Sequence, residues 1–362
     1  MDYFRSMTKF NVVFAKNLIA WYLRNKRELP WRSTQDPYCI WLSEILLQQT
    51  RVAQGLPYYL KFIETYPNIK KLADAPEDEV LKLWQGLGYY SRARNLHATA
   101  KFIAQHRNGN FPNTYKELLE LKGVGDYTAS AIASISFKIP EAVVDGNVFR
   151  VLSRIFGIPT PINSPMGQKE FKKLAQQLID IENPGTYNQA IMEFGALFCT
   201  PQNPDCISCL FKTECFAYKN DMVSALPVKL KAKPVQKRFF NYLVLITKDE
   251  KTLLQKRLGK GIWEKLYEFP LIESSKKIGL KELSKTEHFQ NLTKGLVMES
   301  VTLYNDRAVI HKLSHQHLYA KFWIVEVKDD HPSFIPVSKI GNYAVPVLIE
   351  NFVSEFFVSY SM

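Results

Sequence analysis

The segment CTPQNPDCISCLFKTEC, residues 199–215, sets Cys199, Cys206, Cys209 and Cys215 in a C-x6-C-x2-C-x5-C pattern. Thiolates joined by loops this short can wrap one soft metal centre, because closing short loops costs little chain entropy. Disulfides suit the pattern poorly: no basic-then-apolar secretory leader precedes it, and Cys39 is the one other cysteine. Structural zinc and an iron–sulfur cluster both fit, and spacing alone does not separate them. Cys39, within Tyr38-Cys39-Ile40-Trp41, reads as a small core hydrophobe.

Toward the N-terminus the chain reads as helices joined by short turns. Residues 9–24 repeat apolar side chains near a 3.6 period, and 41–52 form a second helix. Further helices are expected over 77–85, 92–105, 169–181 and 187–198, with a short extended piece at 142–144. Thr114 and Glu117 have capping-box spacing. Leu121-Lys122-Gly123-Val124-Gly125-Asp126-Tyr127 lies between two helical patterns. Its glycines permit a tight hairpin whose amides, with the following helix N-terminus, can hold a phosphate, although a plain helix–helix turn has the same look. Asp145, before a helical pattern, suits an N-cap. Glu44 stands inside the apolar run Trp41-Leu42-Ser43-Glu44-Ile45-Leu46-Leu47. A carboxylate there is costly unless paired or protonated, and burial raises its pKa toward that of a useful general acid.

Composition narrows the class. With 46% hydrophobic and 23% charged residues the chain is an ordinary globular protein. No apolar run approaches the roughly 18–20 residues of a membrane span. A net charge of +12 points to a polyanion, with nucleic acid ahead of an acidic membrane. The expected location is cytoplasmic and nucleoid-associated. Residues 219–238 read as a basic linker, where Lys229, Lys231, Lys233, Lys237 and Arg238 cluster with two prolines. Beyond it, strands are expected at 242–247, 252–256 and 318–327, and helices at 280–283 and 344–352. The expected architecture is an all-α domain at 1–218, the linker, and an α+β domain at 239–362.

The hairpin, the Asp after it and the downstream cysteines together resemble the endonuclease III superfamily of DNA base-excision enzymes, over roughly residues 9–218. Within it, Trp41 to Thr50, Gly86-Leu87-Gly88-Tyr89-Tyr90-Ser91 and Glu193 to Pro201 look like the MutY adenine DNA glycosylases. The resemblance implies two helical lobes with a helix-hairpin-helix, and a [4Fe–4S] cluster on the four cysteines. It implies a monomer acting on double-stranded DNA that holds adenine opposite 8-oxoguanine or guanine. Motif by motif, Glu44 would protonate the departing adenine, Asp145 would face the cationic sugar, and Asn147 would orient that site. Trp31, Arg32 and Gln189 match positions around the adenine pocket. Leu47, Gln49 and Tyr89 match positions that enter or brace the duplex, and Gly123 and Gly125 match the hairpin. Lyase relatives carry a Schiff-base lysine where this chain has Tyr127. A phenol forms no imine, so a monofunctional glycosylase is expected, with Lys122 the residue that keeps lyase chemistry conceivable.

Gly261 to Pro270 and Leu313-Ser314-His315 resemble the Nudix-like C-terminal domain of the same family, in which the turn matching Ser314 and His315 faces the lesion strand. No Glu-rich metal-binding helix follows Pro270, so nucleotide hydrolysis has few ligands. His311, His315 and His317 could instead bind metal or cap strands. The rival readings are an endonuclease III-like enzyme on oxidised pyrimidines and a non-catalytic iron–sulfur DNA-binding protein.

Overall fold

The computed structural model describes residues 2–231, 234–328 and 331–360; Lys233 of the basic linker lies outside the described residues. Packing divides the chain into two compact units, Met1–Asp74 with Asn95–Lys231, and Ala75–Arg94 with Ala232–Met362. Residues 75–94, which composition groups with the helical domain, therefore pack with the C-terminal unit.

The first twelve helices in chain order are α1 (Asp2–Asn25), α2 (Pro37–Leu47), α3 (Val52–Thr65), α4 (Ile69–Asp74), α5 (Glu77–Leu83), α6 (Ser91–His106), α7 (Tyr115–Leu119), α8 (Asp126–Phe137), α9 (Gly146–Phe156), α10 (Pro165–Leu178), α11 (Pro184–Leu197) and α12 (Phe216–Lys219). Their ends follow local rules. Asp36 accepts from Tyr38 N at 2.8 Å ahead of Pro37 and starts α2. The expected helix over 41–52 instead stops at Leu47, because Gln49 adopts φ +56° and a left-handed residue cannot continue a right-handed helix. Thr114 caps α7 through Glu117 N, but Glu117 turns its carboxylate to the Thr114 hydroxyl and to Arg107. Residues 142–144 pair with no strand and lead into the Asp145 cap.

One core of the helical unit joins Phe14, Leu18 and Tyr22 of α1 to Val148, Val151 and Leu152 of α9 and to Tyr187, Ile191 and Phe194 of α11. Phe211 and Cys215 of the cysteine loop are buried in the same core. Against it, α2 packs on α8, and α8 on α11.

The second unit is built on β1 (Gln236–Thr247), β2 (Lys251–Thr252), β3 (Gln255–Lys256), β4 (Tyr267–Glu268), β5 (Leu271–Ser274), α13 (Leu280–Leu283), α14 (Glu287–Thr293), β6 (Met298–Leu303), β7 (Val309–Lys312), β8 (Gln316–Val327), β9 (Ile335–Pro336) and α15 (Val347–Tyr360). β1 and β8 run parallel at its centre, with Leu243 opposite Trp323. β5 lies antiparallel to β1, and β6 and β7 antiparallel to β8. The expected strand over 252–256 is two short pieces in different sheets. On one face Phe352 of α15 stacks on Phe322 at 4.0 Å; on the other, α13 and α14 cover Leu243, Leu245 and Trp323.

Candidate active site

The helical unit holds a cavity of about 200 Å³ whose lining includes Trp31, Glu44, Tyr127, Asp145, Gln189 and Glu193. α2 supplies Glu44, the first turn of α8 supplies Tyr127, the cap of α9 supplies Asp145, and α11 supplies Gln189 and Glu193. Residues far apart in sequence thus meet because four helix segments aim at one point.

Glu44 is half-buried against the cavity, and desolvation raises its pKa to about 7. A hydrogen bond from Tyr127 opposes the rise, the charge of Asp145 adds to it, and Arg32 opposes it weakly. The Tyr127 hydroxyl also lies 3.2 Å from Met192 Sδ, and burial holds its own pKa well above the usual phenol value.

Asp145 is an N-cap and a pocket residue at once. Its Oδ1 accepts from the backbone N–H of Asn147 and Val148 at 2.9 and 2.8 Å, and its Oδ2 from Asn147 Nδ2 at 2.9 Å. Burial raises its pKa above the ordinary value, and these donors oppose the rise. Three donors face it, an arrangement that suits a carboxylate. Asn147 is in turn held by Arg150 Nη2 at 2.9 Å on its Oδ1, so its orientation is fixed.

Glu193 is the group that sequence reading passed over. It is 1% exposed, and Arg27 and Arg32 each fork onto its two oxygens at 2.5–2.9 Å. Burial alone would raise its pKa; the hydrogen bonds of the two guanidiniums outweigh that and bring it to about 2. The available signal was the same one that marks Glu44, an acid inside an apolar helical run, here Ala190-Ile191-Met192-Glu193-Phe194. Gln189 accepts from the Tyr22 hydroxyl at 2.9 Å, and Trp31 packs edge-on against Tyr59.

Leu47 lines the cavity, and Gln49 stands exposed in the turn that follows. Gly123, at φ +81°, makes the hairpin turn, and an added Cβ would meet Asn95 at 2.8 Å. Gly125 caps α8 with open space beside it, and Lys122 is exposed. Tyr89 and Ser314 belong to the C-terminal unit, where their hydroxyls hydrogen-bond to each other. His315 is exposed in the β7–β8 turn, its carbonyl accepting from Gln236 N at 3.1 Å.

The four cysteines meet at one end of the helical core. Cys199, Cys206 and Cys215 each act electrostatically on Cys209, whose thiol burial pushes up to about 11. Arg154 Nη1 lies 3.5 Å from Cys199 Sγ and the backbone N–H of Phe211 3.4 Å from Cys209 Sγ, donors that suit sulfur carrying charge. Among the described residues no group of three or more His, Cys, Asp or Glu side chains is set to hold a metal ion.

The model for HhH-GPD superfamily base excision DNA repair proteins matches residues 42–177, and that for the NUDIX domain matches 241–355. Fold and site together thus define a helix-hairpin-helix base-excision repair enzyme, a hydrolase of N-glycosyl bonds, with a Nudix-like second unit. The adenine DNA glycosylase of Buchnera aphidicola subsp. Baizongia pistaciae is 38% identical over 316 residues, 87% of this chain and 86% of that protein. That of Mus musculus is 44% identical over 226 residues, 59% of this chain and 44% of that protein. The chain belongs to the adenine DNA glycosylase family. Among solved structures, a thermostable thymine-DNA glycosylase superposes with a TM-score of 0.55 at 31% identity, covering 59% of this chain and 99% of that one. An endonuclease III–DNA complex superposes with a TM-score of 0.51 at 23% identity, covering 59% and 98%, and shares the fold.

Proposed function

We infer that this enzyme removes adenine paired opposite 8-oxoguanine from duplex DNA and leaves an abasic site. The observation that carries the reading is that Glu44, whose pKa desolvation raises, lines one cavity with a second carboxyl, Asp145, that accepts from three donors. Adenine must first leave the stack, which costs a few kcal/mol. As the N-glycosidic bond breaks, its electron pair leaves with the base, and Glu44 supplies the proton that makes adenine a neutral leaving group. Positive charge grows on the sugar, and Asp145 faces it as an anion held by Asn147. Water then adds to the sugar carbon and passes a proton to the carboxylate that Glu44 has become, restoring the acid. Arg32 and Gln189, with Trp31 beside them, hold the base. Tyr127 hydrogen-bonds Glu44 and offers no amine for an imine. Lys122, Gly123 and Gly125 bind a phosphate of the DNA.

Cys199, Cys206, Cys209 and Cys215 would hold a [4Fe–4S] cluster. Such a cluster would cross-link the loop, with the four sulfurs bound to it as thiolates. Ser314 and His315 read the opposite strand, where 8-oxoguanine offers an extra carbonyl and an N–H that guanine lacks.

The test is single-turnover incubation with duplexes holding adenine opposite 8-oxoguanine and opposite guanine. Alkali-dependent strand breaks, faster opposite 8-oxoguanine, are expected. Ser314→Ala with His315→Ala should reduce that preference by about 1–3 kcal/mol while leaving bond cleavage intact. An unchanged preference would move lesion reading elsewhere, and efficient borohydride trapping would overturn the monofunctional assignment.

A further inference from the structure

Successive side chains of a strand point to opposite faces of the sheet. On β1 and β8, Phe239, Asn241, Leu243 and Leu245 share one face with Tyr319, Lys321, Trp323 and Val325. Half of that face is covered, where Leu243, Leu245, Trp323 and Val325 pack with Leu283 of α13 and Phe289 of α14. Over the other half opens a cavity of about 420 Å³, lined by Phe239, Asn241, Tyr319 and Lys321 together with Lys237, Lys277 and Arg307.

The chemistry of this cavity is one-sided. Four cations line it and no carboxylate does. Lys321 is 7% exposed, donates to the Ile278 carbonyl at 2.7 Å, and lies 5.3 Å over the Trp323 ring. Among the described residues neither it nor Lys237, Lys277 or Arg307 makes an ion pair. A buried cation without a counter-ion is costly, and three more cations beside it deepen the cost. Burial lowers the Lys321 pKa, the charge of Lys277 lowers it further, and Glu282 opposes this weakly. The remaining wall is apolar, made by Ile278, Ala308, Ile310 and the Phe239 and Tyr319 rings, which stack on one another at 5.2 Å and 25°. Asn241 is taken up by Ile272, Ser274 and Trp323 and acts as scaffold.

We propose that this cavity is a mononucleotide site, with the phosphate against Lys321 and the base against the Phe239–Tyr319 wall. The volume is that of a small-ligand pocket, the cation set answers a phosphate, and Lys237 and Arg307, both exposed, are free to close on it. The site is built wholly within the C-terminal unit and shares no residue with the cavity around Glu44.

The experiment is calorimetric titration of the full chain with 2′-deoxyguanosine 5′-monophosphate at low salt; a guanine nucleotide avoids a probe suited to the Glu44 pocket. Binding in the range of about 10–500 μM is expected, with inorganic phosphate and 2′-deoxyguanosine each at least about tenfold weaker. Lys321→Met keeps the side-chain length without the charge and should weaken binding about tenfold or more. Because Lys321 is buried, Lys237→Ala with Arg307→Ala serves as the second variant, at exposed positions, and should weaken binding about threefold to tenfold. Adenine excision should be unchanged in all variants. No binding by the wild type at millimolar nucleotide, or equal binding by both variants, overturns the proposal. Displacement of the nucleotide by undamaged duplex DNA, with inorganic phosphate binding as well as the nucleotide, would mean the cavity seats a backbone phosphate, and overturns it too.

Discussion

Glu44 on α2 and Glu193 on α11 begin alike and end apart. Each is an acid inside an apolar helical run, and each lines the same cavity. Burial pushes both upward, yet Glu44 reaches about 7 and Glu193 falls to about 2. The difference is the partner set: Glu193 takes two guanidinium forks, while Glu44 faces a phenol and a second carboxylate. Burial by itself therefore does not set the pKa; two guanidinium forks reverse its effect at Glu193, and the weak influence of Arg32 does not at Glu44.

Removing each acid breaks the comparison at a different point. Glu44→Gln should lower single-turnover adenine release by about 10³-fold or more while DNA binding persists, because an amide has no proton to give the base. In the wild type the rate should fall as pH rises through about 7, where Glu44 loses that proton. A flat profile between pH 6 and 8.5 would detach Glu44 from the chemistry. Asp145→Asn should cost about 10²–10³-fold, since the cap hydrogen bonds largely survive but the charge facing the sugar is gone. If that variant kept near-full activity, Asp145 would be a helix cap alone.

Glu193→Gln strands Arg27 and Arg32 without their anion. A loss of about 3 kcal/mol in the stability of the helical unit is expected, moderated by the partial exposure of Arg27, and denaturant unfolding followed by circular dichroism would measure it. The smallest effect is on stability against pH. Glu44 binds its proton more tightly folded than unfolded, so its contribution is greatest below its ordinary value of 4.5 and is lost as pH rises toward about 7. Glu193 has the opposite sign: its contribution is present above 4.5 and lost as pH falls toward about 2. Glu44→Gln should therefore stabilise the protein by about 1–3 kcal/mol more at pH 8 than at pH 4. Equal stabilisation at both pH values would show that Glu44 is not strained by its charge.

The helices of the first unit were legible because apolar period, caps and glycines are local. Their limits were less so: α2 stops at Leu47 because Gln49 turns left-handed, which no composition rule marks. In the C-terminal unit the two long strands were legible in part, whereas β5, β6 and β7 and the sheet they form were not. The parallel pairing of Gln236–Thr247 with Gln316–Val327 joins segments separated by most of that unit, and no local pattern encodes a partner. Likewise the packing of Ala75–Arg94 with the C-terminal unit, and the Tyr89–Ser314 hydrogen bond it brings, cross a long stretch of chain.

By itself the sequence determined the cysteine spacing, the hairpin glycines, the acid in the apolar run, the missing lyase lysine and the excess of positive charge, since each is a matter of which residue stands where. Tertiary structure alone decided that Glu44, Tyr127 and Asp145 share one cavity, that Glu193 is clasped by two arginines, and that Lys321 is a buried cation with no ion pair among the described residues. The physical reason is that a side chain's protonation and partners depend on desolvation and on charges brought near by distant segments, and those distances exist only once the chain is packed.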